Sequence, residues 1–470
     1  MFKSICEEYK FYSLTTLFNK FSLVALLFIL FNNIYANDLP RRAMLGARLM
    51  QVDNDISNRL YVNQGEGVFI DIVVEGSSAE NIGLRVNDIV LEINNAKVNL
   101  PGEGVTEIQK LRTGDTVNLK VIRQGKIIYL GGNLTGIPYE KSQNAEVIYT
   151  HFPYDEGLSR VIIHKPLEEK EKYPTIFFIQ GYTCTSIDKI ENTTTQKLLN
   201  TFVENGYVVV KTEKAGVGDS NNKKHATEYN LNEEIDYFSA SFNNLTNYNF
   251  IDLDNVFIFG HSMGGVQAPL LKTNFDPKGI IVYGTVIRPW FEYLIDIARF
   301  QKYLMGYDYL EVEEKFPIAM KFYYQLMIEK KRPSEMTRDN EVYEFMKNSW
   351  QYDDKESLNG RHFSFWQQLQ DAEVIKAWSE TKSYVLSLWG ESEYIAFNPK
   401  EHQLIADIVN EYNPGKAYFI EVPKADHNFL YAESPQHSYE IRNDRDYYTK
   451  NFNKEIANIT IQWIDERIKK

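Results

Sequence analysis

The chain has 470 residues, an apolar share of 43% and a formal net charge of −13. This length predicts two or three folded units, and the apolar share is too high for a disordered chain. The acidic balance repels nucleic acid and anionic lipid, so neither is expected as a partner.

The first 36 residues are predicted to be an export signal. Lys3, Lys10 and Lys20 precede the apolar run 21–31, which is too short to span a bilayer but suits the core of a secretory signal. Cleavage is expected after Ala36, which would leave no stable membrane span, and an uncleaved anchor is the alternative. The mature chain is therefore expected to be periplasmic or secreted.

Cysteine and histidine usage indicates neither disulfides nor metals. Cys6 lies in the expected signal and Cys184 is the other cysteine, so the mature chain cannot form an internal disulfide. Cys184 is expected to be a small packed residue. No group of Cys and His residues has the spacing of a zinc site, so no metal and no other cofactor are expected.

Residues 37–137 are predicted to form a small β-rich domain, because short apolar runs alternate with turns such as Asn94-Asn95. The segment resembles the PDZ domains of bacterial periplasmic proteases in Gly67-Val68-Phe69-Ile70, Gly83-Leu84, Asp88-Ile89-Val90 and Gly114-Asp115-Thr116-Val117. The resemblance implies that a peptide adds as a strand, with its carboxylate on backbone N–H groups near Gly67, Val68 and Phe69. A spacer or a dimer contact is the alternative use of this domain.

From residue 138 onward, strands and helices alternate, which predicts an open, mostly parallel sheet with helices on both faces. The stretch 286–380 interrupts this rhythm with aromatic and charged residues at helical spacing, and it is predicted to be an inserted helical cap. The expected strands are 160–164, 175–180, 207–212, 256–260, 279–283, 384–389 and 417–422.

The strongest signal for chemistry is Gly260-His261-Ser262-Met263-Gly264. A predicted strand ends at Gly260 and a predicted helix covers 265–272, so the serine lies in a tight strand-to-helix turn. Such a turn exposes the serine above the sheet, and the helix N-terminus favours the negative charge that develops there. Ser262 is therefore the predicted nucleophile.

A serine hydroxyl needs a base, and the base needs an orienting carboxylate. In this arrangement the acid and then the histidine follow the serine along the chain, each in a loop after a late strand. His427 follows the strand 417–422 and is the predicted base. The loop after the preceding strand contains Glu391 and Glu393, whereas Asp426, next to the histidine, is expected to be a local structural carboxylate.

Residues 145–470 resemble capped α/β-hydrolases of the esterase and serine-aminopeptidase kind, in this elbow, in the ordered triad and in the glycine-rich segment 213–220. The resemblance implies an acid at Glu393, where the family commonly has the Asp of Gly-x-x-Asp, with Glu391 as the alternative. It also implies that the N–H groups of Tyr182 and Met263 form the oxyanion hole. The segment 213–220 is interpreted as a structural turn.

The main prediction is an exported serine hydrolase that cleaves carboxylic esters through a Ser-His-Glu triad and an acyl-enzyme. The second hypothesis keeps this mechanism but has a peptide as the substrate, with the PDZ-like domain holding peptide ends. A non-enzymatic binding module on a hydrolase scaffold is the third. In each case the partner is a small ester or a peptide.

Overall fold

The computed structural model describes residues 39–188 and 193–468. The predicted signal and Cys6 lie outside these ranges. All the elements described below lie within residues 41–470, one compact unit of the chain. Within the described ranges, no helix is both long enough and apolar enough to cross a membrane.

Residues 41–137, the N-terminal domain, form an antiparallel sheet with strand order β2-β3-β4-β6-β7, in which β5 also pairs with β4, and β1 pairs with β8. Buried valine, isoleucine and leucine side chains of these strands form its core. The strands are β1 (Ala43–Met44), β2 (Ala47–Gln51), β3 (Val68–Val73), β4 (Ile89–Ile93), β5 (Ala96–Lys97), β6 (Thr116–Arg123), β7 (Lys126–Asn133) and β8 (Thr135–Gly136). The helices are Asn54–Leu60, Ser78–Asn81 and Pro101–Gln109.

The turn predicted at Asn94-Asn95 is confirmed. It joins β4 to β5, with Ile93 paired to Ala96, and the two asparagines have φ angles of 49° and 68°. Two-residue hairpin turns of this kind require positive φ at both positions, which asparagine tolerates better than most residues.

The predicted carboxylate site at Gly67, Val68 and Phe69 is wrong. Strand β3 lies between β2 and β4, so both edges of Val68 and Phe69 are already paired. The N–H of Gly67 donates to the Asn99 side chain at 3.1 Å. Strands β2 and β7 lie at the two ends of this strand order, so β2 offers an edge where a peptide strand could add.

The second domain is built on an eight-stranded sheet in the part of the chain that the structure describes, with order β18-β17-β14-β13-β11-β12-β10-β9. The six neighbouring strands β12, β11, β13, β14, β17 and β18 run parallel to one another. Strand β10 is antiparallel to both of its neighbours, β12 and β9. Its strands are β9 (Ala145–Tyr154), β10 (Gly157–Pro166), β11 (Tyr173–Ile179), β12 (Val208–Thr212), β13 (Ile251–His261), β14 (Gly279–Tyr283), β17 (Tyr384–Gly390) and β18 (Ala417–Val422); a hairpin outside it is formed by β15 (Ser357–Leu358) and β16 (Arg361–His362).

Helices cover both faces of this sheet, which confirms the predicted architecture. Alternate residues of β11 belong to opposite cores, because successive strand side chains point to opposite faces: Ile176 and Phe178 pack on one face, and Phe177 and Ile179 on the other. The helices are Thr194–Glu204, Leu231–Asn243, Met263–Gln267, Trp290–Asp296, Lys302–Leu304, Tyr309–Tyr323, Pro333–Met336, Asn340–Trp350, Phe363–Asp371, Val374–Glu380, Pro399–Tyr412, Pro435–Ile441, Arg445–Lys450 and Glu455–Ile468.

The segment between β14 and β17 is mostly helical and packs over the carboxyl ends of the parallel strands. Two π-helical turns, Ile297–Gln301 and Tyr324–Ile328, interrupt its helices. Its aromatic residues are largely buried and contact one another, as the Trp290–Trp366 ring stack illustrates. We refer to residues 286–380 as the cap.

Candidate active site

Ser262 lies in the strained turn between β13 and the helix Met263–Gln267, with φ 56° and ψ −120°. A non-glycine residue rarely adopts positive φ, so this backbone is held by its surroundings. The N–H of Ser262 donates to the carbonyl of Tyr283 at 2.9 Å. A Cβ atom on Gly264 would lie 2.2 Å from the carbonyl oxygen of Ile179, which explains the glycine. The predicted elbow is confirmed, although its helix starts two residues earlier than predicted.

Glu393 and His427 form a buried pair. The Nδ1 atom of His427 lies 2.9 Å and 3.0 Å from the two carboxylate oxygens of Glu393. Glu393 is fully buried, and its Oε1 also accepts the N–H groups of Ile395 and Ala396 at 3.0 Å and 3.1 Å. With Nδ1–H donating to the carboxylate, the neutral imidazole has its acceptor at Nε2.

The Glu393 carboxylate also sets the basicity of His427. Burial lowers the pKa of the imidazole, but the charge of Glu393 and its hydrogen bond raise it by more, so the net shift is upward. A raised pKa strengthens the imidazole as a proton acceptor, which is the property that a general base needs.

The other two carboxylates near the histidine do not contact its ring. Glu391 is exposed and accepts the N–H of Lys424 at 2.9 Å. Asp426 accepts the N–H groups of Asn428 and Leu430, as well as the Ser438 hydroxyl. Burial raises the pKa of Asp426 to about 6, and the residue shapes its own loop. The structure therefore brings Glu393, and not Glu391, to His427.

Two further histidines form hydrogen bonds to segments of the site, and the sequence carries no signal for their role. His261 donates from Nε2 to the carbonyl of His427 at 2.8 Å. His402 accepts the N–H of Thr285 on Nε2 at 3.0 Å. Burial lowers the pKa of each to about 3, so both rings are neutral and serve as fixed hydrogen-bonding groups.

Ser262 lines two cavities, which differ in the side chains that surround them. One, of about 500 Å³, lies beneath the cap and is mainly apolar. The other, of about 520 Å³, also contains His427 and is rich in hydroxyl groups. Residues lining the first include Val266, Trp290, Tyr293, Leu294, Val312 and Ala319; those lining the second include Gln180, Thr183, Thr185, Ser186, Thr194 and Lys211.

Residues 181–188, which we call the oxyanion loop, follow β11 and pass close to Ser262. A Cβ atom placed on Gly181 would lie 3.3 Å from that of Ser262. Tyr182 follows in the chain and lines both cavities. Met263 begins a helix, where backbone N–H groups have no acceptor within the helix. The N–H groups of Tyr182 and Met263, which are the predicted oxyanion donors, therefore belong to two segments that meet at Ser262.

A buried charge network fixes the near end of the oxyanion loop. Lys214 donates to the carbonyl of Gly181 at 2.8 Å, and Arg361 of the cap donates to that of Tyr182 at 3.1 Å. Both cations pair with Glu234, which also accepts from Gln267 in the helix that follows Ser262. Burial raises the pKa of Glu234, but the two cations outweigh it and hold the pKa at about 2.

Sequence reasoning missed this network. Lys214 lies in the glycine-rich segment 213–220, whose sequence indicates only a structural turn, and Glu234 and Arg361 belong to no motif. Within the described ranges, no three or more His, Cys, Asp or Glu side chains are grouped as a metal site would need.

Two protein families match this chain. A model of the PDZ domain family matches residues 43–130, and a model of the serine aminopeptidase S33 family matches residues 191–409. A probable periplasmic serine endoprotease, DegP-like, of Chlamydia muridarum is 33% identical over 104 residues, 22% of this chain and 21% of that protein. The magnetosome formation protease MamE of Paramagnetospirillum magneticum is 32% identical over 87 residues, 18% of this chain and 12% of that protein. The chain thus spans about a fifth or less of the length of these curated relatives.

Solved structures are similar to a large part of this chain. Est1E from Butyrivibrio proteoclasticus has a TM-score of 0.42 at 14% identity, over 68% of this chain and 99% of that one. A carboxyl esterase from Bacillus coagulans has a TM-score of 0.41 at 15% identity, over 68% and 99%. The Pyrococcus horikoshii acylaminoacyl peptidase has a TM-score of 0.40 at 14% identity, over 76% and 47%.

The substitution Glu393→Gln tests the pair with His427. It removes the charge that raises the histidine pKa, and the active imidazole is the deprotonated form. We expect kcat to fall about 10³- to 10⁴-fold, and the acid limb of the kcat/KM profile for p-nitrophenyl acetate to move to lower pH. Glu391→Gln, an exposed change in the same loop, is the control and should alter neither. An acid limb that stays in place in Glu393→Gln would contradict the pairing.

The substitution Arg361→Met tests the charge network. It leaves Glu234 with one cation fewer and the Tyr182 carbonyl without its donor, so we expect a loss of about 3–5 kcal/mol in the free energy of unfolding. Urea denaturation measures this loss. Arg299→Met is the control, because Arg299 is a cap arginine whose ion pair with Glu313 is solvent-exposed, and it should destabilise far less. Equal effects of the two changes would contradict the network.

Proposed function

We propose that this chain is an exported serine hydrolase that cleaves carboxylic esters, and the matches to the PDZ and serine aminopeptidase S33 family models support the proposal. Ser262 is the nucleophile, His427 the general base and Glu393 the acid that orients the histidine. The observation that carries the proposal is the buried Glu393–His427 pair, whose histidine lines the same cavity as the strained Ser262.

The reaction proceeds in two halves. The Ser262 hydroxyl oxygen attacks the ester carbonyl carbon while its proton passes to Nε2 of His427. The N–H groups of Tyr182 and Met263 donate hydrogen bonds to the negatively charged oxygen that forms from the carbonyl. When the carbonyl re-forms, the alcohol leaves with the proton from His427, and an acyl-enzyme remains. Water then attacks the acyl-enzyme with His427 as base, which releases the acid and the free serine.

The two cavities support an assignment of the two ends of the substrate. The leaving group must reach the proton on His427, and this histidine lines only the hydroxyl-rich cavity. The acyl group then extends from Ser262 into the apolar cavity beneath the cap, whose aromatic and aliphatic walls suit a hydrocarbon or aromatic acid. The substrate proposed is an ester of an apolar acid with a polar alcohol.

A serine peptidase is the second candidate function. The matching family model is that of a serine aminopeptidase, and the unpaired edge of β2 gives the PDZ domain a place for an added peptide strand. Aminoacyl p-nitroanilides and p-nitrophenyl esters, offered to the same preparation, separate the candidates. Turnover of the anilides at rates comparable to the esters would favour the peptidase.

Export to the periplasm is proposed from two observations. The first 36 residues have the composition of a secretory signal. The relatives that match the PDZ domain include proteins described as periplasmic.

The substitution Ser262→Ala tests the nucleophile. Without the hydroxyl no acyl-enzyme forms, so the turnover of p-nitrophenyl acetate should fall sharply. The remaining rate should exceed that of the uncatalysed hydrolysis in water by about 10³- to 10⁴-fold, which is what substrate binding and the oxyanion hole supply without the triad. The control is Ser334→Ala, an exposed serine of the cap outside both cavities, which should retain the turnover of the parent. Undiminished turnover in Ser262→Ala would refute the proposed function.

The substitution Ala319→Phe tests the acyl subsite, since this buried alanine lines the cap cavity. The larger ring narrows the cavity, so we expect kcat/KM for p-nitrophenyl octanoate to fall about tenfold relative to the acetate. Ile318→Phe changes the neighbouring residue of the same helix, outside this cavity, and should leave the ratio unchanged. An unchanged octanoate-to-acetate ratio in Ala319→Phe would place the acyl group elsewhere.

A further inference from the structure

The far end of the oxyanion loop is buried and tightly bonded. The Ser186 hydroxyl donates to Glu213, and the N–H of Ile187 donates to the same carboxylate at 2.9 Å. The carbonyl of Ile187 accepts from Lys211 at 3.2 Å. Asp188 is buried as well. The loop therefore has a second anchoring point, six residues beyond Tyr182.

Asp188 is paired with Arg41. The Arg41 guanidinium forms an ion pair with Asp188 and another, at 2.6 Å, with Asp219 of the glycine-rich segment. The hydroxyl of Tyr149 donates to Asp188 at 2.8 Å, and Arg160 pairs with Asp219 at 3.0 Å. The guanidinium thus joins two buried carboxylates from two loops beside the active site.

Arg41 belongs to the PDZ domain through its backbone. Its carbonyl accepts the N–H of Thr113 at 2.9 Å, and its neighbour Arg42 forms an antiparallel bridge with Arg112. The guanidinium extends away from that domain, donates to the carbonyls of Ile137 and Pro138, and lies over the Tyr139 ring at 4.6 Å. The cation is therefore supplied to the hydrolase domain by the domain that precedes it.

The pairing has an energetic reason. Two carboxylates buried beside one another repel, and a buried carboxylate without a cation costs more free energy than the pair contributes. Arginine suits this place because its planar guanidinium can bond two carboxylates at once, which a lysine ammonium does less well. Without Arg41, Asp188 would move toward water and carry the end of the oxyanion loop with it.

We propose that Arg41 is a positioning residue for ester hydrolysis, through which the PDZ domain holds the oxyanion loop in its catalytic position. The inference rests on the proposed function, because it takes the N–H of Tyr182 as an oxyanion donor. Arg361 and Lys214 fix the near end of the loop, and Arg41 fixes the far end. The PDZ domain is then a structural part of the catalytic unit as well as a possible peptide-binding module.

The test compares three variants of the full chain on p-nitrophenyl acetate. Arg41→Met should lower kcat about 10- to 100-fold, the order expected when a distant change misplaces a catalytic group, with little change in KM. Arg41→Lys should recover part of kcat because it restores the charge. In Arg41→Met/Asp188→Asn the uncompensated carboxylate is also removed, so kcat should again recover in part.

The matched control is Arg85→Met, an exposed arginine of the same domain, which should behave as the parent. Circular dichroism and thermal melting establish that each variant is folded. A folded Arg41→Met enzyme with the parent's kcat would overturn the proposal. If Arg41→Met does not fold, kcat is compared in Arg41→Lys and in the double variant. The proposal would be overturned if both of these had the kcat of the parent.

Failure of the proposed function gives a different pattern. In that case Ser262→Ala retains the ester turnover of the parent, and this result does not depend on the activity of the Arg41 variants. If the proposed function holds and the inference does not, Ser262→Ala is inactive while the folded Arg41 variants turn over ester like the parent.

Discussion

The site depends on one buried carboxylate. Glu393 is fully buried yet must stay charged to orient His427 and raise its pKa, and a charge can remain in such a place only if donors surround it. The N–H groups of Ile395 and Ala396 supply two of them, and the histidine supplies the third. The turn after β17 and the loop after β18 are therefore fixed relative to each other, and both are fixed relative to Ser262.

The same physics governs the oxyanion loop. Its near end is held by Lys214 and Arg361 around Glu234, and its far end by Arg41 between Asp188 and Asp219. Buried ion pairs add little stability compared with apolar packing, but removing one partner is costly, so such networks fix a single arrangement. The cations come from the cap and from the PDZ domain, so both units that flank the sheet help to define the catalytic geometry.

The sequence predicts those parts of the site that local patterns encode. The elbow is predicted because strand, glycine and helix signals are adjacent, and His427 is predicted because it follows an apolar strand. The loop after the preceding strand contains both Glu391 and Glu393, and the choice of Glu393 comes from the family resemblance. The PDZ edge was misassigned because β2 has mostly exposed side chains and gives a weak strand signal. Arg41, Glu234 and Arg361 resemble solvated charges, and only the fold brings them together from distant segments.

The central claim is that the Glu393–His427 pair activates Ser262. Mass spectrometry of the chain after treatment with a fluorophosphonate tests this claim most directly, because the reagent reacts with serines that a neighbouring base has activated. The account predicts a single phosphonate adduct on the peptide that contains Ser262, formed rapidly in the parent and far more slowly in His427→Ala. An adduct on another serine, or equal rates of labelling at Ser262 in the two proteins, would contradict it.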